Sequence, residues 1–159
     1  MARGARWGLA ALVFGAVLVL DQLTKAWAVG RLPGDPLVVV DGWLEFVYAE
    51  NTGFAFGLLH GSGVGGFISL VAVAAIVAMV VLVSRSERVW EIVGFSLVAG
   101  GAAGNLVDRL LRGDGLADGS VVDFVKIPLI PNFNVADVAL TTGVILLLLL
   151  SVRAEAHAR

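Results

Sequence analysis

The chain has 159 residues, of which 58% are hydrophobic and 15% are charged, and its mean hydropathy is +0.93. Soluble domains are about half apolar and about a quarter charged, so this composition excludes an ordinary soluble domain and indicates an integral membrane protein. The formal net charge of −2 argues against a nucleic-acid partner. Because the sequence has no cysteine, disulfides, thiolate metal sites and a cysteine nucleophile are excluded.

The first apolar segment, residues 7–29, predicts a transmembrane helix, because a helix of about 20 apolar residues spans a hydrocarbon core of ~30 Å. A basic start and the Ala26-Trp27-Ala28 sequence also resemble a cleaved signal peptide. Asp21 and Lys25 are unusual near a cleavage site, so we favour a retained helix. These two residues are four apart and share one helix face.

Residues 30–63 predict an external segment that contains a β-hairpin. Asp41-Gly42 lies between the β-prone runs Leu37–Val40 and Trp43–Tyr48, and this pattern is typical of a hairpin turn. We expect a small sheet that lies on the membrane, with Trp43 directed towards the headgroups.

Three further apolar segments predict transmembrane helices at residues 64–84, 89–111 and 134–152. The external segment 112–133 contains a strand-like run, Val121–Val125. The expected fold is therefore an all-α membrane protein of four transmembrane helices with a small extracytoplasmic β-hairpin or sheet. We predict a single domain over residues 1–159.

The distribution of arginine predicts the orientation. Both termini and the turn at residues 84–88 would lie on one side of the membrane, together with Arg3, Arg6, Arg85, Arg88, Arg153 and Arg159. The positive-inside rule makes this side cytoplasmic.

Polar residues share one depth near the outer ends of the predicted helices. With ~1.5 Å of rise per residue, they lie within about 12 Å of those ends. Charged residues at membrane depth usually face a bundle interior or a wet cavity. The residues of this layer are Asp21, Lys25, Asn105, Asp108, Arg109, Asn134 and Asp137.

Structural explanations exist for several of these residues. Asp21 and Lys25 form a possible ion pair, Asp108 could pair with Arg112, and Asn134 or Asp137 could cap the last helix. Asp137 and Asp123, which lies within the run Val121–Val125, are harder to explain in this way.

A short loop separates Asp123 from Asp137, so the two carboxylates can meet. Two close carboxylates tend to share one proton. One can then activate a water molecule while the other donates a hydrogen bond to a carbonyl, which permits peptide hydrolysis without a cofactor. The apolar neighbours of Asp123 favour its protonated form, and the dipole of the last helix favours an ionised Asp137 as the base.

Five motifs in order resemble lipoprotein signal peptidase, the signal peptidase II family of bacterial inner membranes. They are DQLTK at 21–25, NTGFAFG at 51–57, GGAAGNLVDR at 100–109, VVDF at 121–124 and FNVAD at 133–137. The sequence differs from the family pattern at Phe54 and in the short loop between Asp123 and Asp137.

The resemblance implies an aspartic endopeptidase that cuts prolipoproteins just before a diacylglyceryl-modified cysteine, near the outer leaflet. By the same resemblance, Asp123 and Asp137 are catalytic, Asn105, Arg109 and Asn134 shape the pocket, and Asp21, Lys25 and Asn51 support it. It also implies inhibition by globomycin. We expect a monomer in contact with membrane lipid.

Two other functions are compatible with intramembrane charges: a small proton-coupled transporter and a non-catalytic assembly factor. Transporters usually bind their substrates near the midplane and contain inverted repeats. The polar layer predicted here is near the outer face, and we find no repeat, so the peptidase is favoured.

Overall fold

The computed structural model describes residues 1–53, 64–113, 117 and 119–158. Its four long helices are α1 (Arg3–Arg31), α2 (Val64–Arg85), α3 (Val89–Leu111) and α4 (Val135–Ala158). All four are long and apolar enough to cross a membrane, which confirms the predicted fold class. Helices α1 and α4 extend beyond their predicted apolar limits, because the flanking residues are largely alanine and arginine, which favour helix.

Helix α3 lies at the centre of the bundle and packs against the other three helices. In its most apolar stretch 56% of the residues are buried, compared with 11–17% in the other helices. Glycines permit the close approach: a Cβ at Gly101 would collide with the carbonyl oxygen of Ala136 on α4. Small residues at a membrane-helix interface commonly have this role.

A three-stranded antiparallel sheet in the order β1-β2-β3 lies outside the helices. Its strands are β1 (Leu37–Val40), β2 (Leu44–Asn51) and β3 (Val121–Lys126). Gly42, with a φ of +66°, lies in the turn between β1 and β2, so the predicted hairpin is confirmed. The strand-like run becomes the third strand, which pairs Asn51 with Val121 and Ala49 with Asp123.

The sheet packs on the C-terminal end of α1 through a small apolar core. The indole ring of Trp27 makes edge contacts with Phe46 and Phe124, with centroid distances of 5.6 and 6.1 Å. The buried members of the core are Ala28, Leu32, Val122 and Phe124.

The chain between β3 and α4 folds back on β3. The backbone N–H of Val125 donates to the carbonyl of Phe133 at 2.9 Å, and the N–H of Phe133 donates back at 3.0 Å. This bridge brings the first residues of α4 beside the middle of β3. The short loop noted in the sequence is therefore compatible with a close approach of Asp123 and Asp137.

Candidate active site

A fully buried lysine joins α1 to α3. The Nζ of Lys25 lies 2.9 Å from Asp21 Oδ2 and 3.1 Å from Asp108 Oδ2, and it donates to Asn105 Oδ1 at 2.9 Å. Each of the three ammonium hydrogens thus has an acceptor. The predicted Asp21–Lys25 pair exists, but it belongs to a larger network.

The two aspartates of this network also accept hydrogen bonds from backbone N–H groups. Asp21 Oδ1 accepts from the N–H of Ala136 at 2.9 Å, and Asp108 Oδ2 accepts from the N–H of Val122 at 3.0 Å. Ala136 immediately precedes Asp137, and Val122 immediately precedes Asp123. The lysine network therefore positions the backbone beside both candidate catalytic residues.

Asn134 and Asp137 cap the start of α4 reciprocally. The N–H of Asp137 donates to Asn134 Oδ1 at 3.0 Å, and the N–H of Asn134 donates to Asp137 Oδ2 at 3.1 Å. This arrangement is a capping box, so the capping explanation is correct for both residues. It leaves the side-chain amide of Asn134 and the Oδ1 atom of Asp137 free for other contacts.

The remaining contacts join the two carboxylates through amides. Asn134 Nδ2 donates to Asp123 Oδ1 at 2.7 Å, while Asn105 Nδ2 donates to Asp137 Oδ1 at 2.8 Å. Asn51 Nδ2 donates to Asp123 Oδ2 at 2.9 Å. The structure therefore brings Asp123 and Asp137 to the two sides of Asn134.

Asp123 is only 2% exposed on β3, outside the helices. Burial raises the pKa of this carboxyl to about 6, and the negative charge of Asp137 acts in the same direction. The hydrogen bonds from Asn51 and Asn134 and the charge of Lys25 lower the pKa but do not offset the effect of burial. The result is the direction expected from the apolar neighbours of Asp123.

Arg109 is buried behind the sheet. Its Nη1 donates to the carbonyl oxygen of Gly119 at 3.3 Å, just before β3. A Cβ at Gly53 would lie 3.0 Å from the Nη2 of Arg109, and Gly53 has a φ of +86°. Glycine is favoured at residue 53 by its backbone conformation and by the close approach of Ile68 Cδ1, with the guanidinium also nearby. Arg109 packs against segments that lie next to Asn51 and next to β3.

The charges of this layer nearly balance. Among the described residues, four carboxylates, those of Asp21, Asp108, Asp123 and Asp137, accompany three cations, Lys25, Arg109 and Arg112. With every group ionised, the layer would carry one excess negative charge.

A cavity of 510 Å³ opens beside Asp137. Its volume is within the usual range of about 300–1,000 Å³ for ligand-binding pockets. Described residues of the cavity lining include Asn51, Phe133, Asp137, Val138, Thr141 and Thr142. Part of the 51–57 motif, including Phe54, lies outside the described residues.

A family described as Signal peptidase (SPase) II matches residues 13–153. The chain belongs to the signal peptidase II family. A "Lipoprotein signal peptidase" of Rhodococcus jostii (strain RHA1) is 38% identical over 88% of this chain and 70% of its own length. One of the same name from Bifidobacterium longum (strain DJO10A) is 42% identical over 88% of this chain and 76% of its own.

Two solved structures, both described as bacterial membrane enzymes, have the same fold. One has a TM-score of 0.80 and 29% sequence identity, and the aligned region covers 96% of this chain and 92% of the solved chain. The other has a TM-score of 0.78 and 32% sequence identity, and the aligned region covers 89% of this chain and 91% of the solved chain. The protein is therefore a membrane-embedded signal peptidase.

The candidate site contains two residues, Asp108 and Gln22, whose contacts the sequence analysis did not fully predict. Asp108 contacts Arg112 as expected, with Nε 3.4 Å from Oδ1, but it also binds Lys25 and the backbone of β3. Gln22 donates to the carbonyl of Gly104 at 3.2 Å and to Asp108 Oδ1 at 3.3 Å. The signal that could have found both is their place within the motifs at 21–25 and 100–109.

Proposed function

We propose that this signal peptidase is an aspartic endopeptidase whose catalytic pair is Asp123 and Asp137. Its substrates are prolipoproteins with a diacylglyceryl-modified cysteine, and it hydrolyses the peptide bond just before that cysteine. The observation that carries the proposal is the Asn134 bridge, which holds two carboxylates together by amide hydrogen bonds. The names of the similar proteins support the class of substrate.

The reaction follows from one shared proton. Ionised Asp137 accepts a proton from water, and the water oxygen attacks the carbonyl carbon of the peptide bond. Protonated Asp123 donates its proton towards the carbonyl oxygen, which gives a tetrahedral intermediate. As the C–N bond breaks, Asp137 gives its proton to the leaving nitrogen, and the re-forming carbonyl returns the other proton to Asp123.

The remaining residues have supporting roles in this proposal. The amides of Asn51, Asn105 and Asn134 orient the two carboxylates through the hydrogen bonds described above. Asp21 and Lys25 position the start of α4. Arg109 packs beside Gly53, next to the substrate cavity.

The proposed location is the bacterial inner membrane, with both termini cytoplasmic and the site near the outer leaflet. The asymmetric distribution of arginine supports this orientation. Because the sequence has no cysteine, single cysteines can be labelled in intact cells with an impermeant reagent. Asp41→Cys in the exposed hairpin turn should label, and Glu87→Cys in the exposed α2–α3 turn should not. Labelling of Glu87→Cys would contradict the orientation.

Signal peptidase II membership favours the peptidase over the proton-coupled transporter. Cleavage in detergent requires no gradient, so detergent-solubilised protein separates the two functions. Inhibition by a globomycin-type compound and action as a monomer are also part of the proposal. Globomycin should then slow cleavage, and size-exclusion chromatography with light scattering should give one chain per particle.

The decisive experiment compares a lipidated and an unlipidated prolipoprotein by gel shift, with the wild type and with Asp123→Asn. Wild-type protein should shorten only the lipidated substrate, and mass spectrometry should place the cut just before the modified cysteine. Asp123→Asn should leave both substrates intact. Cleavage of both substrates by the wild type would contradict the proposed specificity.

A further inference from the structure

Helix α4 carries two hydroxyl groups where the rest of its membrane segment is hydrocarbon. Thr141 and Thr142 interrupt a run that otherwise contains only alanine, glycine and branched aliphatic residues from Val138 to Leu150. Both side chains are exposed, and both line the 510 Å³ cavity together with Asp137. Polar groups at this depth need a partner, because hydrocarbon offers none.

Several hydroxyls elsewhere on the membrane helices already have backbone carbonyl acceptors, among them Ser69 Oγ, which donates to the carbonyl of Ala117 at 2.6 Å. Thr24 Oγ1 donates to the carbonyl of Leu20 at 2.8 Å, and Ser96 Oγ donates to that of Ile92 at 2.7 Å. Such bonds to the preceding turn are the usual state of Ser and Thr in membrane helices. Thr141 and Thr142, in contrast, donate to no other residue in the described part of the chain. Their hydroxyls are available to a ligand in the cavity.

The positions of the two threonines relate them to the scissile bond. Thr141 is four residues after Asp137, so it lies on the same face of α4, about 6 Å further along the helix axis. Thr142 is four residues after Val138, which also lines the cavity. We propose that Thr141 and Thr142 form a subsite that donates hydrogen bonds to a carbonyl oxygen of the substrate, one helical turn from the bond that is cut. This inference rests on the proposed function.

The substrate has carbonyl groups that require such a donor. A signal peptide must be extended at the cleavage point, so its backbone carbonyls lose their helical hydrogen bonds while still at membrane depth. The diacylglyceryl group contributes ester carbonyls near the same point. The peptide carbonyl and the ester carbonyl are both uncharged hydrogen-bond acceptors. A substrate that lacks the esters distinguishes between them.

The test uses Thr141→Val and Thr142→Val, which keep the shape of the side chain and remove the hydroxyl. Each should lower kcat/KM for a diacylglyceryl prolipoprotein by about three- to tenfold, the usual effect of one neutral hydrogen bond. Thr141→Ser and Thr142→Ser should retain most of the activity. Ser151→Ala, which removes a hydroxyl from the same helix outside the cavity, is the matched control and should change nothing.

A second substrate with ether-linked alkyl chains lacks the ester carbonyls. If the valine variants cleave it as fast as the wild type does, the acceptor is an ester; if the same loss persists, it is a peptide carbonyl. Valine variants that match the wild type on both substrates would overturn the subsite, as would serine variants as slow as the valine variants. Failure of the proposed function is distinct, because the wild type itself would then not cleave.

Discussion

Two pairs of carboxylates lie within one polar layer of this protein, and they are stabilised in different ways. Asp21 and Asp108 flank the ammonium of Lys25 at 2.9 and 3.1 Å. Asp123 and Asp137 are bound by side-chain amides and a backbone N–H instead. A buried cation fixes the charge of the carboxylates beside it, whereas amides orient a carboxylate and leave its proton exchangeable. The first arrangement suits a support, and the second suits proton transfer.

The largest effect expected from this difference is on catalysis. Asp123→Asn and Asp137→Asn should each reduce cleavage to less than about a hundredth of the wild-type rate, since general acid–base catalysis contributes ~10²–10⁴. Both proteins should remain folded, because asparagine retains the shape of the side chain. Initial rates and size-exclusion profiles measure the two properties. Asp35→Asn, at an exposed ion pair with Arg31, is the control. If either variant cleaves at a near-normal rate, the substituted aspartate is not a member of the proposed catalytic pair.

Disturbing the other pair, Asp21 and Asp108 beside Lys25, should mainly lower the stability of the protein. Lys25→Met leaves two buried carboxylates without their cation and should lower the free energy of unfolding by about 3–5 kcal/mol. Lys126→Met breaks an exposed pair with Glu45 and should cost less than about 1 kcal/mol. Chemical unfolding in detergent measures both. Equal effects would show that the buried network does not stabilise the fold more than a surface pair.

The close approach of α3 and α4 provides a third comparison. Gly101→Ala places a methyl group against the backbone of Ala136, which precedes Asp137, and should destabilise the protein by about 1–3 kcal/mol and slow cleavage. Gly66→Ala on α2 meets no atom within 4 Å and should be neutral or stabilising. Thermal unfolding and initial rates of cleavage are measured for both glycine variants. An unaffected Gly101→Ala would mean that α4 can shift without disturbing the site.

The smallest expected effect concerns pH. The hydrogen bond from Asn51 lowers the pKa of Asp123 from the higher value that burial alone would give, so Asn51→Ala should raise this pKa further above about 6. In the proposed mechanism the Asp123–Asp137 pair holds one proton, and the loss of this proton defines the alkaline limb of the kcat/KM profile. That limb should move to higher pH by about one to two units, given ~1.5–3 kcal/mol for a hydrogen bond to a charged group. Asn132→Ala, in the same cavity, should leave the limb in place. A shift to lower pH in Asn51→Ala would contradict this assignment.

Much of this structure could be predicted from short sequence patterns and from the positions of residues along the chain. The apolar lengths predict the helices, Asp41-Gly42 predicts the hairpin, and the positions of Asp21, Lys25 and Asn105 predict a polar layer. These features depend on neighbours in sequence or on depth in the membrane.

The contacts of Asp108 could not be predicted in the same way. Its partner on β3 is the backbone N–H of Val122, which no side-chain pattern identifies. The pairing of Asn51 with Val121 likewise joins distant parts of the chain. The double role of Asn134, as a cap of α4 and as a bridge to Asp123, became visible only when β3 and α4 were placed side by side.

The bridge between Phe133 and Val125 has a consequence for the timing of activity. Asp123 lies on a strand whose pairing partner is β2, and Asp137 lies on α4, the last element in chain order. In the proposed orientation, the two acids meet only after the hairpin has been exported, the third strand has joined it and the final helix has entered the bilayer. A partly inserted chain would lack the complete pair of acids and therefore the proposed protease activity. Under the proposed function, cleavage of neighbouring chains would wait for complete assembly, and the fold would act as a safeguard during biogenesis.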